Sequence, residues 1–353
     1  MISELMKDVD KNKNDIDALK LHSKLVKDDI KNIKDYWYGL EEDTMLQILN
    51  LPNILHKKTP LENITIYATQ DCIKEKSKSH MEIAEEYRYV EYFDPLTCYL
   101  KSDAALFELG ILNYFRDGLS RTGFTQFSNS NFCRSVVLEG CGDNYEKPLK
   151  AFTLEEVEDS RDDINRLHLC GGASLYAFMA YFTRNLLQQT HFPLRYFSLG
   201  KKYQPANKNL PNDLFNLSQE SALNIFIATL EEDDFLEETT KRVIALYEPL
   251  GHHFRLTLLA ADKLERSESL RLSIQMYSNY LESYVEVGNI SLYDNYLSKR
   301  LLFTYNVNKE RKYPKIIGGT LLNVPRMLGC VLENSVFFNK DLMTPVLKYE
   351  VKD

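Results

Sequence analysis

A heptad pattern of apolar residues runs through the first part of this 353-residue chain. Apolar side chains recur at alternating spacings of three and four residues from Ile2 to Leu40, with polar Asn12 and Ser23 at two of these positions. This spacing places one apolar seam along a helix and is typical of a coiled coil. At 1.5 Å per residue, the helix would be roughly 58 Å long. The pattern therefore predicts a helical arm.

Two prolines, Pro52 and Pro60, lie in the stretch LPNILHKKTP and end that helix. We place a domain boundary here, with a coiled-coil arm over residues 1–50 and a main domain over residues 51–353. A single amphipathic helix is marginal in water, so the seam needs a partner. No second heptad segment follows, which leaves a helix preceding Met1, a helix of another molecule, or a hairpin turned at DKNKND. A plain oligomerisation helix is the simplest interpretation.

Composition restricts the class of protein. Hydrophobic residues make up 44% and charged residues 27%, which is ordinary for a folded domain. The net charge of −8 argues against an overall basic surface for nucleic acid, and no apolar run approaches the roughly 20 residues that span a bilayer. The six cysteines form no CxxC pair and the seven histidines no ligand-spaced cluster. We expect reduced thiols, an intracellular site, no metal and no cofactor.

The main domain mixes short β-rich runs with amphipathic helices. Runs at 64–68 and 194–199 and the strand-like LLFTYN at 301–306 are interleaved with helical patterns at 102–123 and 171–189. The order lacks regular βαβ alternation. We therefore predict an α+β fold with helices packed on a largely antiparallel sheet.

One charged residue, Arg326, lies in the apolar stretch IGGTLLNVPRMLGCVLENS at 317–335. A charge is rarely buried without a partner, so this arginine must bind something. Arginine suits phosphate or carboxylate because its planar guanidinium donates paired, charge-assisted hydrogen bonds.

Several separate segments of the chain agree in order and spacing with one known family. The segments are, in order, LPNILH, YLKSDAALFEL, VVLEGCGDN, LHLCGGASLYAFMAYF, FPLRYFSLGKKYQ, SLYDNYLSKRL and GGTLLNVPRMLGCVLEN. They resemble the seryl-tRNA synthetases, and especially those of animal mitochondria, whose EGCG segment is echoed at 139–142. The resemblance covers nearly the whole chain. It implies a class II aminoacyl-tRNA synthetase-like antiparallel sheet flanked by helices, with an N-terminal coiled-coil arm.

The resemblance assigns most ligand positions of that family to residues that cannot do the same work. The Thr-x-Glu that grips serine is replaced by Gly172 and Ser174, and the Arg-x-Glu that binds phosphate and adenine by Gln204 and Ala206. A second arginine matches Asn216, and a serine-binding glutamate matches Asn224. The residues that survive are Glu286, Thr320 and Arg326.

Losing two arginines from a polyphosphate site forfeits about 3–6 kcal/mol, or on the order of 10²–10⁴ in affinity. The resemblance therefore implies a vestigial ATP site without ligase activity, in which Arg326 either still reaches phosphate or is paired with a core carboxylate. The prolines that usually follow the motif 1 helix are replaced by Asn129 and Ser130, which changes the segment that builds the family's dimer interface.

The chain also resembles the insect mitochondrial seryl-tRNA synthetase-like proteins, which are non-catalytic relatives of the enzyme. This implies residence in the mitochondrial matrix, with a targeting peptide not present in this chain, and binding of tRNA, above all serine tRNA, or other mitochondrial RNA. The candidate RNA-binding residues are Lys20, Lys24, Lys27, Lys31 and Lys34, which Asp28, Asp29 and Asp35 interrupt. A merely solvated helix face is the alternative for these lysines.

Two further functions stay open. The chain could be a structural or regulatory subunit, as a homodimer or as a heterodimer with the active mitochondrial seryl-tRNA synthetase. It could also be a divergent enzyme whose altered pocket, roomier and less charged, takes another ligand. No triad, metal cluster or carboxylate pair replaces the lost ligands, which favours the non-catalytic interpretations.

Overall fold

The computed structural model describes residues 13–69, 76–154, 165–230 and 235–334. The chain divides into two units, Met1–Leu51 and Pro52–Asp353. Helices within the described residues are α1 (Lys13–Leu49), α2 (His80–Glu86), α3 (Ser102–Arg121), α4 (Ser135–Gly140), α5 (Leu175–Phe182), α6 (Phe235–Tyr247), α7 (Tyr296–Arg300) and α8 (Val324–Leu332). Strands are β1 (Ile64–Ala68), β2 (Val90–Asp94), β3 (Thr97–Leu100), β4 (Thr125–Gln126), β5 (Phe132–Arg134), β6 (Phe152–Thr153), β7 (Leu167–Leu169), β8 (Leu186–Gln188), β9 (Leu194–Tyr203), β10 (Gln219–Thr229), β11 (Phe254–Leu258), β12 (Leu270–Ser278), β13 (Ser283–Asp294), β14 (Thr304–Val307), β15 (Glu310–Lys312) and β16 (Lys315–Asn323).

The first unit contains the long helix α1, which confirms the predicted N-terminal helix. It has 37 residues and would span about 56 Å at 1.5 Å per residue. Its apolar seam is solvent-exposed, with Ile33 and Trp37 each 66% accessible. The part of the heptad pattern before Lys13 lies outside the described residues, and the alternative hairpin at DKNKND falls partly there. From Lys13 onwards the backbone is helical rather than turned.

The second unit is built on an eight-stranded sheet in the order β1-β11-β12-β13-β16-β10-β9-β4. Every neighbouring pair is antiparallel except β4 and β9, so the predicted α+β fold with an antiparallel sheet is confirmed. Alternate residues of a strand point to opposite faces. On β10, Ile225 joins the core cluster that includes Phe115 and Leu328, whereas Phe226 joins a second cluster with Phe178 and Phe303. The sheet is therefore covered on both faces.

Three predicted segments differ from the structure in extent. The helix predicted over 171–189 is shorter, because α5 ends at Phe182, and Arg184 takes a left-handed backbone (φ 57°) before β8. The strand predicted over 194–199 extends to Tyr203 as β9, since its ten residues pair along β10. The run 301–306 becomes a strand only from Thr304, because α7 precedes it.

The described residues contain neither a membrane-spanning helix nor a cluster of metal-ligating side chains. None of the helices there combines the length and the apolar character needed to cross a bilayer. Nor do three or more histidine, cysteine, aspartate or glutamate side chains of those ranges converge on a point that could hold a metal ion.

Candidate functional site

Arg326 binds a carboxylate of its own chain. Its position is fixed at the start of α8, where the Asn323 side chain caps the helix and accepts from the Arg326 backbone N–H at 3.1 Å. The guanidinium Nε lies 3.3 Å from Oε1 of Glu220, a side chain that is 0% exposed. Gln204 donates through Nε2 to the other oxygen, Oε2, at 3.3 Å. Both oxygens of Glu220 are therefore engaged, one by each partner.

The sheet topology brings these residues together. Gln204 follows β9, Glu220 lies on β10, Glu286 on β13 and Arg326 just after β16. These strands are neighbours in the order β13-β16-β10-β9. Residues far apart in sequence therefore line one region of the sheet. Arg326 also donates through Nη1 to the backbone carbonyl of Glu286 at 3.4 Å.

Glu286 belongs to a second internal network. Its carboxylate accepts from the Arg271 guanidinium and from the Ser273 hydroxyl, the latter at 2.5 Å. Arg271 also donates to Glu265 at 3.3 Å and to Glu268 at 3.4 Å. Burial lowers the pKa of Arg271, but the three carboxylates outweigh burial and raise it above its usual range. The arginine is thus permanently charged and compensated within the chain.

A polar cavity of about 50 Å³ lies beside these networks. Thr320 and Lys202 line it, with Lys202 Nζ 3.5 Å from the Thr320 hydroxyl. Glu265 also lines it and is ion-paired with Lys150. Burial raises the pKa of Glu265, but Lys150 and Arg271 outweigh burial and lower it. The wall of this cavity therefore carries charged side chains, which are the lysines Lys150 and Lys202 and the carboxylate of Glu265.

Gly172 and its neighbourhood leave little room for the family's threonine. Asn129 donates through Nδ2 to the Gly172 carbonyl at 3.0 Å, and Asn131 Oδ1 accepts from the Gly172 N–H at 2.8 Å. A Cβ added to Gly172 would lie 3.2 Å from the Asn129 carbonyl oxygen. Ser130 bonds within the same loop, accepting from the Phe132 N–H at 3.2 Å. The segment from Asn129 to Asn131 thus fills the space next to Gly172.

Ser174 and Asn216 have local structural roles. Ser174 is the N-cap of α5 and accepts from the Ala177 N–H at 3.3 Å. Asn216 donates to the carbonyls of Asn207 and Pro211 and accepts from the Asn207 N–H, which holds the loop between β9 and β10. Ala206, in the same loop, has its N–H bonded to the Ser218 hydroxyl at 3.1 Å.

Asn224 is the candidate residue with an unused polar atom. It lies on β10 beside the cavity and is 2% exposed, yet its Oδ1 has no hydrogen-bond partner among the described residues. A buried acceptor without a donor costs about 1–3 kcal/mol. Such an atom is usually explained by a missing water or ligand.

The five candidate lysines of α1 share one face of the helix. At 3.6 residues per turn they fall within an arc of about 80°, centred about 110° from the apolar seam. Asp28 and Asp35 border that arc and Asp29 lies on the opposite side. The prediction that these acids interrupt the lysines is therefore corrected, because on the helix they flank the stripe or face away from it. One acid, Asp17, lies 3.8 Å from Lys20. The exposed lysines are Lys20, Lys24, Lys27, Lys31 and Lys34.

Sequence reasoning found part of this site. Of the nine site positions predicted from the sequence, the fold brings five to neighbouring strands or to the element that directly follows one: Gln204, Asn224, Glu286, Thr320 and Arg326. Sequence reasoning missed the charged side chains that hold the site together, which are Lys150, Lys202, Glu220, Glu265 and Arg271. For those that lie on strands, a charged residue within an apolar strand would have been a signal.

Comparison with known proteins identifies relatives over nearly the whole chain. A family model for the tRNA synthetase class II core domain (G, H, P, S and T) matches residues 157–335. The Serine--tRNA synthetase-like protein Slimp of Drosophila melanogaster is 30% identical over 330 residues, covering 91% of this chain and 70% of that protein. The mitochondrial Serine--tRNA ligase of Bos taurus is 24% identical, covering 84% of this chain and 60% of that enzyme.

Solved structures share the fold. The seryl-tRNA synthetase of Pyrococcus horikoshii, solved in complex with ATP, superposes with a TM-score of 0.84 at 16% identity, covering 99% of this chain and 86% of that one. The cytoplasmic Serine-tRNA ligase of Naegleria fowleri, solved with AMP, gives a TM-score of 0.79 at 16% identity, covering 94% and 82%.

Proposed function

Because this chain belongs to the seryl-tRNA synthetase-like proteins of the class II synthetase family, we propose that it is a non-catalytic member that binds tRNA. The observation that carries the proposal is the bond between Arg326 and Glu220. An arginine that would meet a nucleotide phosphate is instead bound to a buried carboxylate of its own chain. The phosphate would have to displace Glu220 and leave it buried and unpaired.

The other positions support the same conclusion about ligase activity. Gly172 and Ser174 cannot supply a carboxylate for the ammonium of serine, and Gln204 binds Glu220 rather than an external ligand. Activation of an amino acid on ATP depends on positioning and electrostatics supplied by such anchors. With these anchors absent and the remaining arginine engaged, the pocket does not assemble serine and ATP for reaction.

The arm supplies the proposed RNA contact. Five lysines on one face of α1, from Lys20 to Lys34, extend over about 21 Å of helix. This face is separate from the apolar seam, so the arm can pair with another helix and still present its lysines. Binding of this kind is driven by phosphate charge and depends strongly on salt. The proposed ligand is serine tRNA or another mitochondrial RNA.

Mitochondrial residence is part of the proposal. The relatives from Bos taurus and Mus musculus are named as mitochondrial ligases, and their alignments cover 84% and 87% of this chain. The chain spans about 60% of those enzymes' length. We place the protein in the mitochondrial matrix, supporting translation there.

RNA binding is tested by competition. The full chain is titrated with labelled serine tRNA at physiological salt, and unlabelled serine tRNA or an unrelated RNA of equal length is added. We expect serine tRNA to compete at lower concentration than the unrelated RNA. No binding at physiological salt, or equal competition by both, would contradict a tRNA-binding role.

Self-association is a second proposed property, favoured by exposed leucines on the motif 1 helix α3. Leu106 is 46% exposed and Leu109 is 61% exposed, and residues three apart share a helix face. We propose that this face pairs either with a second copy or with the active mitochondrial seryl-tRNA synthetase. Charge introduced there would oppose burial of that face.

The partner is identified by mass measurement. The chain is measured alone and mixed with the mitochondrial enzyme, beside a Leu109→Glu variant and a control with an exposed leucine changed elsewhere, Leu149→Glu. We expect a dimer that Leu109→Glu dissociates and Leu149→Glu leaves intact. A monomer under both conditions, or equal effects of the two variants, would refute the proposed face.

A further inference from the structure

Lys202 carries a partly buried ammonium that makes no ion pair within the part of the chain that the structure describes. Its one hydrogen bond within the described residues is the 3.5 Å contact with the Thr320 hydroxyl, at the limit of a hydrogen bond. The carboxylates of Glu220 and Glu265 attract the Lys202 ammonium, but Arg326 already binds Glu220 and Lys150 already binds Glu265. The ammonium is therefore left facing the cavity with an incompletely compensated charge.

The electrostatics of this position are unusual for a lysine. Burial, with the nearby charges of Lys150 and Arg326, lowers the pKa of Lys202 to about 8, although Glu220 and Glu265 oppose the shift. The side chain is still mainly charged at pH 7. A buried charge of this kind is costly unless an anion accompanies it.

Two further features of the cavity wall point to the same ligand. Helix α5, eight residues long, begins at the cavity, and Ser174, Leu175 and Tyr176 of its first turn line it. The amino end of a helix carries partial positive charge and unpaired N–H groups, which favour an anion. The buried side chain of Asn224 lines the same cavity, and its Oδ1 accepts from nothing in the described residues. That oxygen requires a donor.

Two adjoining cavities of different size lie at this position, and they are named the inner and the outer cavity. The inner cavity has a volume of about 50 Å³ and the outer one of about 430 Å³, and the two share the residues Cys141, Lys150, Tyr176, Glu265 and Ser267. The outer cavity is also lined by Lys147 and Arg266. A compact anionic group fits the inner chamber, and a substituent attached to it would lie in the outer one.

We propose that the inner cavity binds a small oxyanion of the phosphate class that keeps one proton, either monohydrogen phosphate or the monoanion of a phosphate monoester. Its charged oxygens accept from Lys202, the Thr320 hydroxyl and the amides of Leu175 and Tyr176 at the start of α5, and its P–O–H donates to Asn224 Oδ1. The proposed site does not use Arg326, because Glu220 already binds that side chain. It does not depend on RNA binding, so the two proposals fail separately.

The test uses the full chain and inorganic phosphate as the probe, with calorimetry and thermal unfolding. Loss of one charge-assisted hydrogen bond predicts that Lys202→Met weakens phosphate binding about 10–100-fold. Without phosphate, the same variant should melt at a higher temperature than the parent, because an apolar side chain replaces a poorly compensated charge. The control, Lys312→Met, removes an exposed lysine on β15 and should leave binding unchanged.

A second variant keeps the test decisive if Lys202→Met does not fold. Asn224→Asp preserves the shape of the side chain and adds a negative charge where the oxyanion sits, so it should abolish binding. Absence of saturable phosphate binding to the parent, or equal binding by the parent, Lys202→Met and Asn224→Asp, would overturn the proposal. A sugar phosphate that binds more tightly than phosphate assigns the outer cavity to its substituent, whereas weaker binding identifies free phosphate as the ligand.

Phosphate affinity should also depend on pH. It should fall about tenfold per unit once the pH rises above the Lys202 pKa of about 8, since the neutral amine no longer pairs with the anion. Burial raises the pKa of Tyr176 and Cys141 well above this range, and Glu265 has its pKa lowered far below it, so these wall residues do not titrate there. Affinity that is unchanged between pH 7 and pH 9 would contradict a role for Lys202.

Discussion

Replacement of Arg326 by methionine is expected to lower the free energy of unfolding of the main domain by about 3 kcal/mol. The loss arises from Glu220, which is 0% exposed and would lose the guanidinium 3.3 Å from its Oε1. Breaking one side of a buried ion pair costs about 3–5 kcal/mol, because the remaining charge is uncompensated. The Gln204 hydrogen bond and the nearby Lys202 ammonium place the expected loss at the lower end.

Urea unfolding of a double-mutant cycle measures this effect. Glu220→Gln and the double variant Glu220→Gln with Arg326→Met accompany the single change. The double variant should be more stable than Arg326→Met alone, because it leaves no buried charge behind. The effects of the two single changes on the free energy of unfolding could instead be additive, or Arg326→Met could unfold at the same urea concentration as the parent. Either result would show that Arg326 does not compensate the charge of Glu220. It would then be available for an external phosphate.

Removal of three lysines from the stripe is expected to weaken tRNA binding about 100-fold at physiological salt. The variant changes Lys24, Lys27 and Lys31 to glutamine, and each lost phosphate contact removes one charge from the interaction. The slope of log affinity against log salt should become shallower by about 2–3, since each contact contributes about 0.7–0.9. The helix itself should persist, because glutamine and lysine have similar helix propensities.

Filter binding over a range of salt concentrations gives both quantities. The matched control changes three exposed lysines of the main domain, Lys58, Lys309 and Lys312, and alters net charge by the same amount. A shallower slope only in the arm variant supports the stripe. Equal losses in the arm variant and the control would show that general charge, and not this face of α1, determines binding.

The fold was predictable from the sequence because its signals are local. A heptad seam needs only spacing, and helix α1 is present wherever the structure describes that segment. The predicted helix at 102–123 is α3 at Ser102–Arg121 for the same reason. The helix predicted over 171–189 was too long, because its later residues form β8, which pairs with β14 more than a hundred residues away. Local periodicity carries no information about that pairing.

The charges of the candidate site could not be predicted in the same way. The sequence predicts which family ligands are replaced, but it does not indicate which side chain balances the charge of Arg326. Glu220 and Arg326 are 106 residues apart and meet only because β10 pairs with β16. Lys202 reaches the cavity through the pairing of β9 with β10, where it lies opposite Glu220. Charge compensation of this kind depends on strand register, which becomes visible only in three dimensions.

We propose that this chain, which keeps the synthetase fold, does not activate serine. The most direct test is serine-dependent exchange of pyrophosphate into ATP. The purified, folded full chain is measured beside an active mitochondrial seryl-tRNA synthetase at equal concentration. We predict no exchange above the level seen without serine, because Arg326 is bound to Glu220 and the positions that would hold the serine ammonium carry no carboxylate. Exchange that depends on serine and is lost in Arg326→Met would contradict the account and make this chain an active synthetase.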